Sequence, residues 1–392
     1  MGKIKSYISF IFKSPNTMLI LLWAFSAISY VRGLLLHLPL ISGYVGIIIK
    51  LIVIIPIVLA IPYIIKDTSF YKGILLYIII CILYLLNGVI YPENYEALNS
   101  NLSRCLFSSF PFLLFGCLID IKKYYNAFYY ASIFYIALDI FYFLIYNSTG
   151  VSVSGVEGDH NMGAAYAILP HVLLCISACF RDFIIWKLGV AIIGVIMLLS
   201  YGTRGPFFCL LFFITAYLLF IQKIRSKKVF ISTIIIATLV FVFQDYILRG
   251  LITIIGDYLG MSTRIFDGIL DSTIAEDDAR SWIVETLIST LNSKNSLFGF
   301  GLLGSYNVTG GYPHNFFVDM VFTFGYLIGG ILLLLFAFVS IKAYQKSEDT
   351  ERVFFLILLS SGFMHLMFSG TFIFDADFYL YLGYVIRLLS KK

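Results

Sequence analysis

Arginine and histidine are the residues whose types and positions could do chemistry in this chain. Arg204 stands in Ser200-Tyr201-Gly202-Thr203-Arg204-Gly205-Pro206. Arg280 follows Asp277-Asp278-Ala279, and Pro313-His314-Asn315 stands directly before a long apolar run. A guanidinium offers a planar fork of donors that matches a phosphate or carboxylate two bonds at a time. An imidazole can take the proton of an attacking hydroxyl near neutral pH. Each residue also has a plainer reading. Arg280 could pair with Asp277, Asp278 or Glu285 on a surface helix, Arg204 could mark topology, and His314 could cap structure at a helix start. His160 has a similar placement to His314, whereas His37, His171 and His365 fall within or beside apolar runs. No H-x-x-x-H or H-E-x-x-H spacing occurs, so no metal site is expected.

Gly299-Phe300-Gly301-Leu302-Leu303-Gly304 matches G-x-G-x-x-G. No strand precedes it and no βαβ unit surrounds it, which excludes a dinucleotide fold. A flexible turn, or a close backbone approach to a ligand phosphate, is the expectation there.

The scaffold that must position these residues is apolar. The chain has 392 residues, 60% hydrophobic and 12% charged, with a mean hydropathy of +0.94. A soluble domain carries about a quarter charged residues. Twelve apolar runs are present, at about 17–35, 44–65, 71–91, 104–120, 124–146, 162–180, 183–201, 205–222, 229–248, 315–341, 353–371 and 374–389. Most approach the roughly 20 residues that cross a hydrocarbon core of about 30 Å. The expected fold is a single all-α polytopic membrane domain over residues 1–392, with about twelve spans and one long, partly helical extracytoplasmic loop at 249–314. Continuous rather than alternating apolar runs exclude a β-barrel. The N-terminal run, with no clear A-x-A site after it, is expected to be an uncleaved first span.

Charge sets the orientation. With the N-terminus inside, nineteen of the 27 Lys and Arg fall at cytoplasmic positions, seven at outer positions, and Lys50 within a span. That asymmetry is the positive-inside pattern, so the net charge of +5 is no nucleic-acid signal. The turn Gln222–Lys228 is the strongest inside marker and places 249–314 outside. Six of the seven outer cations are arginine: Arg32, Arg104, Arg204, Arg249, Arg264 and Arg280. Topology needs only charge, so the preference for the guanidinium is what asks for a reason. The six cysteines lie in or beside apolar runs and form no CxxC.

In combination these features resemble the O-antigen polymerase and O-antigen ligase family of bacterial inner membranes. The resemblance is carried by Ser200-x-x-x-Arg204-Gly205 at the outer end of a span and by Arg280-Ser-Trp282 opening a loop helix. It is also carried by Gly299-Phe-Gly301 followed by His314-Asn315 and then by Gly325 inside the next span. Asp159-His160-Asn161 adds to it, with His160 where the family often has proline. The match covers roughly 159–335. It implies a fold like that of GT-C glycosyltransferases and a metal-independent, inverting glycosyl transfer on the periplasmic face, with no cofactor. The donor would be a glycan on undecaprenyl diphosphate. His314 would be the base, and Arg280 and Arg204 would hold the diphosphate, with Arg264 and Arg249 as further candidates. Asn161, Tyr312 and Asn315 complete the implied substrate-binding set. Polymerase is the first expectation, with a chain-length regulator as a possible partner. The alternatives are a ligase transferring polymer to lipid A-core and, more distantly, a flippase. In-span charges are few (Lys50 and Asp139 are the clearest) and no two halves repeat, which disfavours transport.

Overall fold

The computed structural model describes residues 68–149, 162–182, 184–221, 278–294 and 297–391, with single positions between 246 and 270. Every regular element among them is helical. They are α1 (Thr68–Ile90), α2 (Tyr95–Arg104), α3 (Pro111–Leu118), α4 (Ile121–Thr149), α5 (Met162–Arg181), α6 (Ile185–Ser200), α7 (Arg204–Ala216), α8 (Asp278–Lys294), α9 (Ser305–Thr309), α10 (Phe316–Lys346), α11 (Asp349–Leu358) and α12 (Ala376–Ser390). Six helical stretches among the described residues are long and apolar enough to cross a membrane, and together they give an all-helical, multi-pass architecture. Nine of the twelve expected runs coincide with helices. The other three, 17–35, 44–65 and 229–248, lie outside the described residues.

Two runs depart from simple spans. The run expected at 104–120 is the second half of a longer rod, Pro92–Leu118, interrupted by a π-helical turn at Cys105–Ser109 before Pro111 starts α3. Proline lacks an N–H and fits the first turn of a helix, so it restarts the rod there. The run expected at 353–371 is helical only to Met367: α11 passes into a π turn (Leu359–Phe363) and a 3-10 turn (Met364–Met367), then leaves the helix. The segment that follows, 368–375, is called the strap below.

Helix α5 is the centre of the bundle. Every residue from Ala164 to Cys179 except Ala167 is buried, against α4, α6, α7 and α11. Buried polar groups on it find partners: Ser132 Oγ lies 3.1 Å from His171 Nδ1, and the Tyr135 ring stacks on His171 at 4.0 Å. His171 is thus a core residue, as its place in an apolar run predicts.

A second contact fixes α12. Gly116 on α3 faces Gly383 on α12 so closely that an added Cβ at Gly116 would sit 2.6 Å from Tyr384 N, and one at Gly383 2.8 Å from the Leu113 carbonyl carbon. Small residues let backbones approach, which is how helices gain dispersion contact where no hydrophobic force separates protein from lipid.

Charged side chains close one end of the bundle. Lys122 pairs with Glu348, Lys391 with Glu351, and Arg387 lies 3.6 Å from Asp120. The α11 start is also locked by a reciprocal cap between Glu348 and Glu351. The rod from Asp349 to Met367 has 19 residues. At 1.5 Å per residue it carries the strap about 28 Å away, to the opposite end.

Gly383→Val should therefore lower the thermal midpoint of the detergent-solubilised protein by several degrees, from overpacking of about 1–3 kcal/mol. Gly189→Val should leave it within about a degree, since nothing lies within 4 Å of a Cβ added at Gly189. Equal midpoints for the two variants would refute the close α3–α12 contact.

Candidate functional site

The strap is irregular backbone beside apolar helices, so its polar groups need partners within the protein. Phe368 N and Ser369 N both donate to the His365 carbonyl at 2.9 Å. Gly370 turns the chain with φ +81°. Thr371 Oγ1 donates to the buried Asp319 carboxylate on α10 at 2.6 Å and accepts from Ile373 N at 3.3 Å. Ser109 Oγ, at the π turn before α3, donates to the Phe374 carbonyl at 2.6 Å. Asp375 Oδ1 then caps α12 by accepting from Phe378 N at 2.8 Å. Its other oxygen lies 3.4 Å from His365 Nδ1, and Tyr166 of α5 stacks on that imidazole at 3.7 Å.

Residues distant in sequence meet on this strap. Arg280, in the first turn of α8, donates from Nη1 to the Phe368 carbonyl at 2.9 Å. It therefore reaches inward to the bundle. At the start of α7, Gly205 lies against the same residue: an added Cβ would stand 3.0 Å from Phe368 Cβ and would overlap the Tyr166 hydroxyl. Arg204 is the neighbouring residue and is half-buried. At the other end of the strap, the Phe374 ring meets Tyr312 edge-on at 6.0 Å, and Tyr312 lies 4.5 Å from the His314 ring. Arg104 closes that end, its guanidinium 4.1 Å above Phe374.

The backbone sets the direction of His314. It adopts φ +52°, a left-handed conformation that histidine tolerates better than β-branched residues do. Asn315 follows in extended conformation and caps α10, its Oδ1 accepting from Phe317 N at 3.0 Å and Val318 N at 3.3 Å. The carboxamide oxygen of Asn315 is thus occupied by the helix start. Burial holds the Tyr306 phenol above its ordinary range; Tyr312 pushes the same way and Arg104 opposes it. Tyr306 accordingly keeps its proton and can act as a donor.

The glycine motif has a different role from either one expected of it. Helix α10 breaks at Gly325, with φ 75° and ψ 170°, a region open essentially to glycine alone. Phe300 N and Gly301 N donate to the Phe322 and Thr323 carbonyls just before that break, each at 2.9 Å. The motif is neither a free turn nor a phosphate cradle, because its donors complete the broken helix. Gly299 is needed for contact: an added Cβ would stand 2.6 Å from both of those carbonyl oxygens. Phe300 stacks flat on Phe322 at 4.7 Å, and Asn94 Nδ2 holds the Phe300 carbonyl at 2.7 Å.

Of the residues singled out by sequence, Arg280 touches the strap at Phe368 and Tyr312 at Phe374; His314 stands beside Tyr312, Arg204 precedes the Gly205 that lies against Phe368, and Asn315 caps α10. Arg249 is exposed at a single described position. Arg264 and Asn161 lie outside the described residues. The strap itself, with His365, Thr371 and Asp375, was not anticipated. Its signal was present as two acids, Asp375 and Asp377, inside an apolar run that they should have broken. Arg104 was also visible, as an outer arginine without an assigned purpose.

Gly325→Ala should destabilise the protein by about 2 kcal/mol or more, through backbone strain and overlap with Leu297. Gly310→Ala should lose only about 1 kcal/mol, because it shares a positive φ but has nothing within 4 Å of an added Cβ. Thermal unfolding in one detergent ranks the pair, and the reverse order would rule out the loop–helix splice. Set against known proteins, the chain matches no family model, no curated protein and no solved structure, so the arrangement around the strap is what bears on its role.

Proposed function

We propose that the protein is a membrane glycosyltransferase of the polysaccharide-polymerase kind. It would transfer a glycan from a polyprenyl diphosphate to a sugar hydroxyl of another lipid-linked repeat unit, on the periplasmic face of a bacterial inner membrane. The observation that supports this reading is that one short strap meets Arg280 and Gly205, the neighbour of Arg204, at one end and Tyr312, which lies against His314, at the other, although these residues come from three separate parts of the chain. The strap lies at the end of the bundle away from the Lys122, Lys391 and Arg387 ion pairs, as the positive-inside pattern expects of an outer-face site.

The chemistry follows from the charges. The acceptor hydroxyl oxygen forms a bond to the anomeric carbon of the donor. The bond from that carbon to the phosphate oxygen breaks, and the diphosphate leaves with the electron pair. Arg204 and Arg280 stabilise the charge that develops on the leaving group, in a site where nearby apolar groups strengthen the interaction. The hydroxyl proton passes to the imidazole of His314. Attack on the face opposite the leaving group inverts the anomeric centre. No nucleotide is required, because the lipid diphosphate already activates the sugar.

Purified protein given lipid-linked repeat unit alone should produce a ladder of longer lipid-linked products. Formation of product only after addition of a lipid A-core acceptor would replace the polymerase with a ligase. Arg280→Ala and His314→Ala should each lower turnover by about a hundredfold or more while membrane expression is retained. Near-normal ladders from both variants would return these residues to structural roles.

A further inference from the structure

Arginines stand at both ends of the strap, and the proposed transfer accounts for those at one end. At the Phe368 end stand Arg280 and Arg204. At the Phe374 end stands Arg104, which is exposed and rests on the buried Phe374 ring at 4.1 Å. Among the described residues no carboxylate lies within 4.0 Å of the Arg104 guanidinium. Asp375 feels the Arg104 charge but serves as the α12 cap, and Asp319 on α10 is held by Thr371. A guanidinium held by its face on an aromatic ring keeps its N–H edges directed outward, ready for a two-point contact with an anion. Rings surround it: Phe374, then Tyr312 at 6.0 Å, then Tyr306 at 6.3 Å from Tyr312, with His314 on the other side of Tyr312. An arginine fork beside an aromatic wall with two phenols fits a sugar joined to a phosphate.

We propose that Arg104 and the Phe374–Tyr312–Tyr306 wall bind a second lipid-linked sugar diphosphate, the acceptor, separately from the donor diphosphate at Arg204 and Arg280. This rests on the reading of the protein as a polymerase and adds a substrate site to it. The middle of the strap is fastened to α10 by the Thr371–Asp319 hydrogen bond, between the residue that meets Arg280 and the residue that meets Arg104. Six residue steps separate Phe368 from Phe374, which places their Cα atoms at most about 21 Å apart. That is close enough for an acceptor held by its diphosphate at Arg104 to bring a hydroxyl further along its glycan to the donor's anomeric carbon. The acceptor's own diphosphate remains intact in the transfer.

The test is the stoichiometry and affinity of undecaprenyl diphosphate binding to detergent-solubilised full-length protein, read by native mass spectrometry, beside polymer formation. The wild type should bind two molecules. Arg104→Ala should bind one, and its KM for lipid-linked repeat unit should rise at least tenfold with a smaller change in kcat. Arg104→Lys, which keeps the charge but not the fork, should fall between them. Arg280→Ala should also bind one, with kcat as the parameter that falls. Inorganic diphosphate added in excess should displace both lipids if the headgroup is what is recognised, and displacement of neither would overturn the assignment. A wild type that polymerises but binds one lipid, or an Arg104→Ala variant that still binds two, would overturn the second site and leave the polymerase reading standing. A wild type that binds two lipids, loses one with Arg104→Ala, yet forms no ladder would do the opposite.

Discussion

A carbonyl or amide facing hydrocarbon has no water to turn to, so each interruption of a membrane helix must be completed by another part of the protein. This constraint organises the end of the bundle where the site lies. Helix α10 breaks at Gly325, and two amides from the glycine-rich loop take up its freed carbonyls. The rod that begins with α11 ends at Met367, and the strap beyond it is held by Ser109, Thr371 and the α12 cap. At both of these places the irregular backbone is surrounded by other elements. Those same places are where side chains can point somewhere other than lipid.

Charge placement follows the same logic. Lysines and glutamates pair at one end of the bundle, where Lys122 and Glu348 reach water and the buried Glu351 is held by Lys391. At the other end the cations are arginines, seated on a carbonyl or an aromatic face. An ammonium ion is a compact, strongly hydrated charge, whereas a guanidinium is planar and more weakly hydrated. The second can rest against rings and peptide groups near the membrane and still present donors to an anion. For Arg280 and Arg104 a guanidinium thus suits the surroundings as well as the proposed ligand.

Much of the scaffold was legible because apolar runs near span length have one physical solution in a bilayer. The runs at 162–180 and 315–341 became α5 and most of α10 with only small changes of boundary. Candidate residues such as Arg280 and His314 stand out in the sequence by type and by placement at the ends of runs. What could not be read was tertiary satisfaction. Gly299–Gly304 carries the spacing of a phosphate loop, but its role depends on a helix break at Gly325, a position that also reads as an ordinary glycine within a span. The strap was hidden because Phe368–Phe374 is apolar enough to extend either neighbouring run. Only Asp375 and Asp377 hinted that the helix stops there. Asn315 shows the converse: a residue read as a ligand contact serves the start of α10 through its oxygen.

The splice between the glycine-rich loop and α10 has a mechanical consequence. Phe300 and Gly301 are bonded to the helix immediately before the break, and Asp319, one turn earlier on the same helix, holds the middle of the strap through Thr371. Loop, outer half of α10 and strap are thus coupled like the parts of a single casting. That loop is therefore spliced in place and is no hinged cover. The stretch of α10 beyond Gly325 is bound into the same body: Leu327, Ile331, Leu334 and Phe338 are exposed along it, but Phe336 packs on Phe316, Phe363 and Phe378 and Ser340 accepts from the Tyr381 hydroxyl at 2.8 Å, so a tilt there would carry those rings with it.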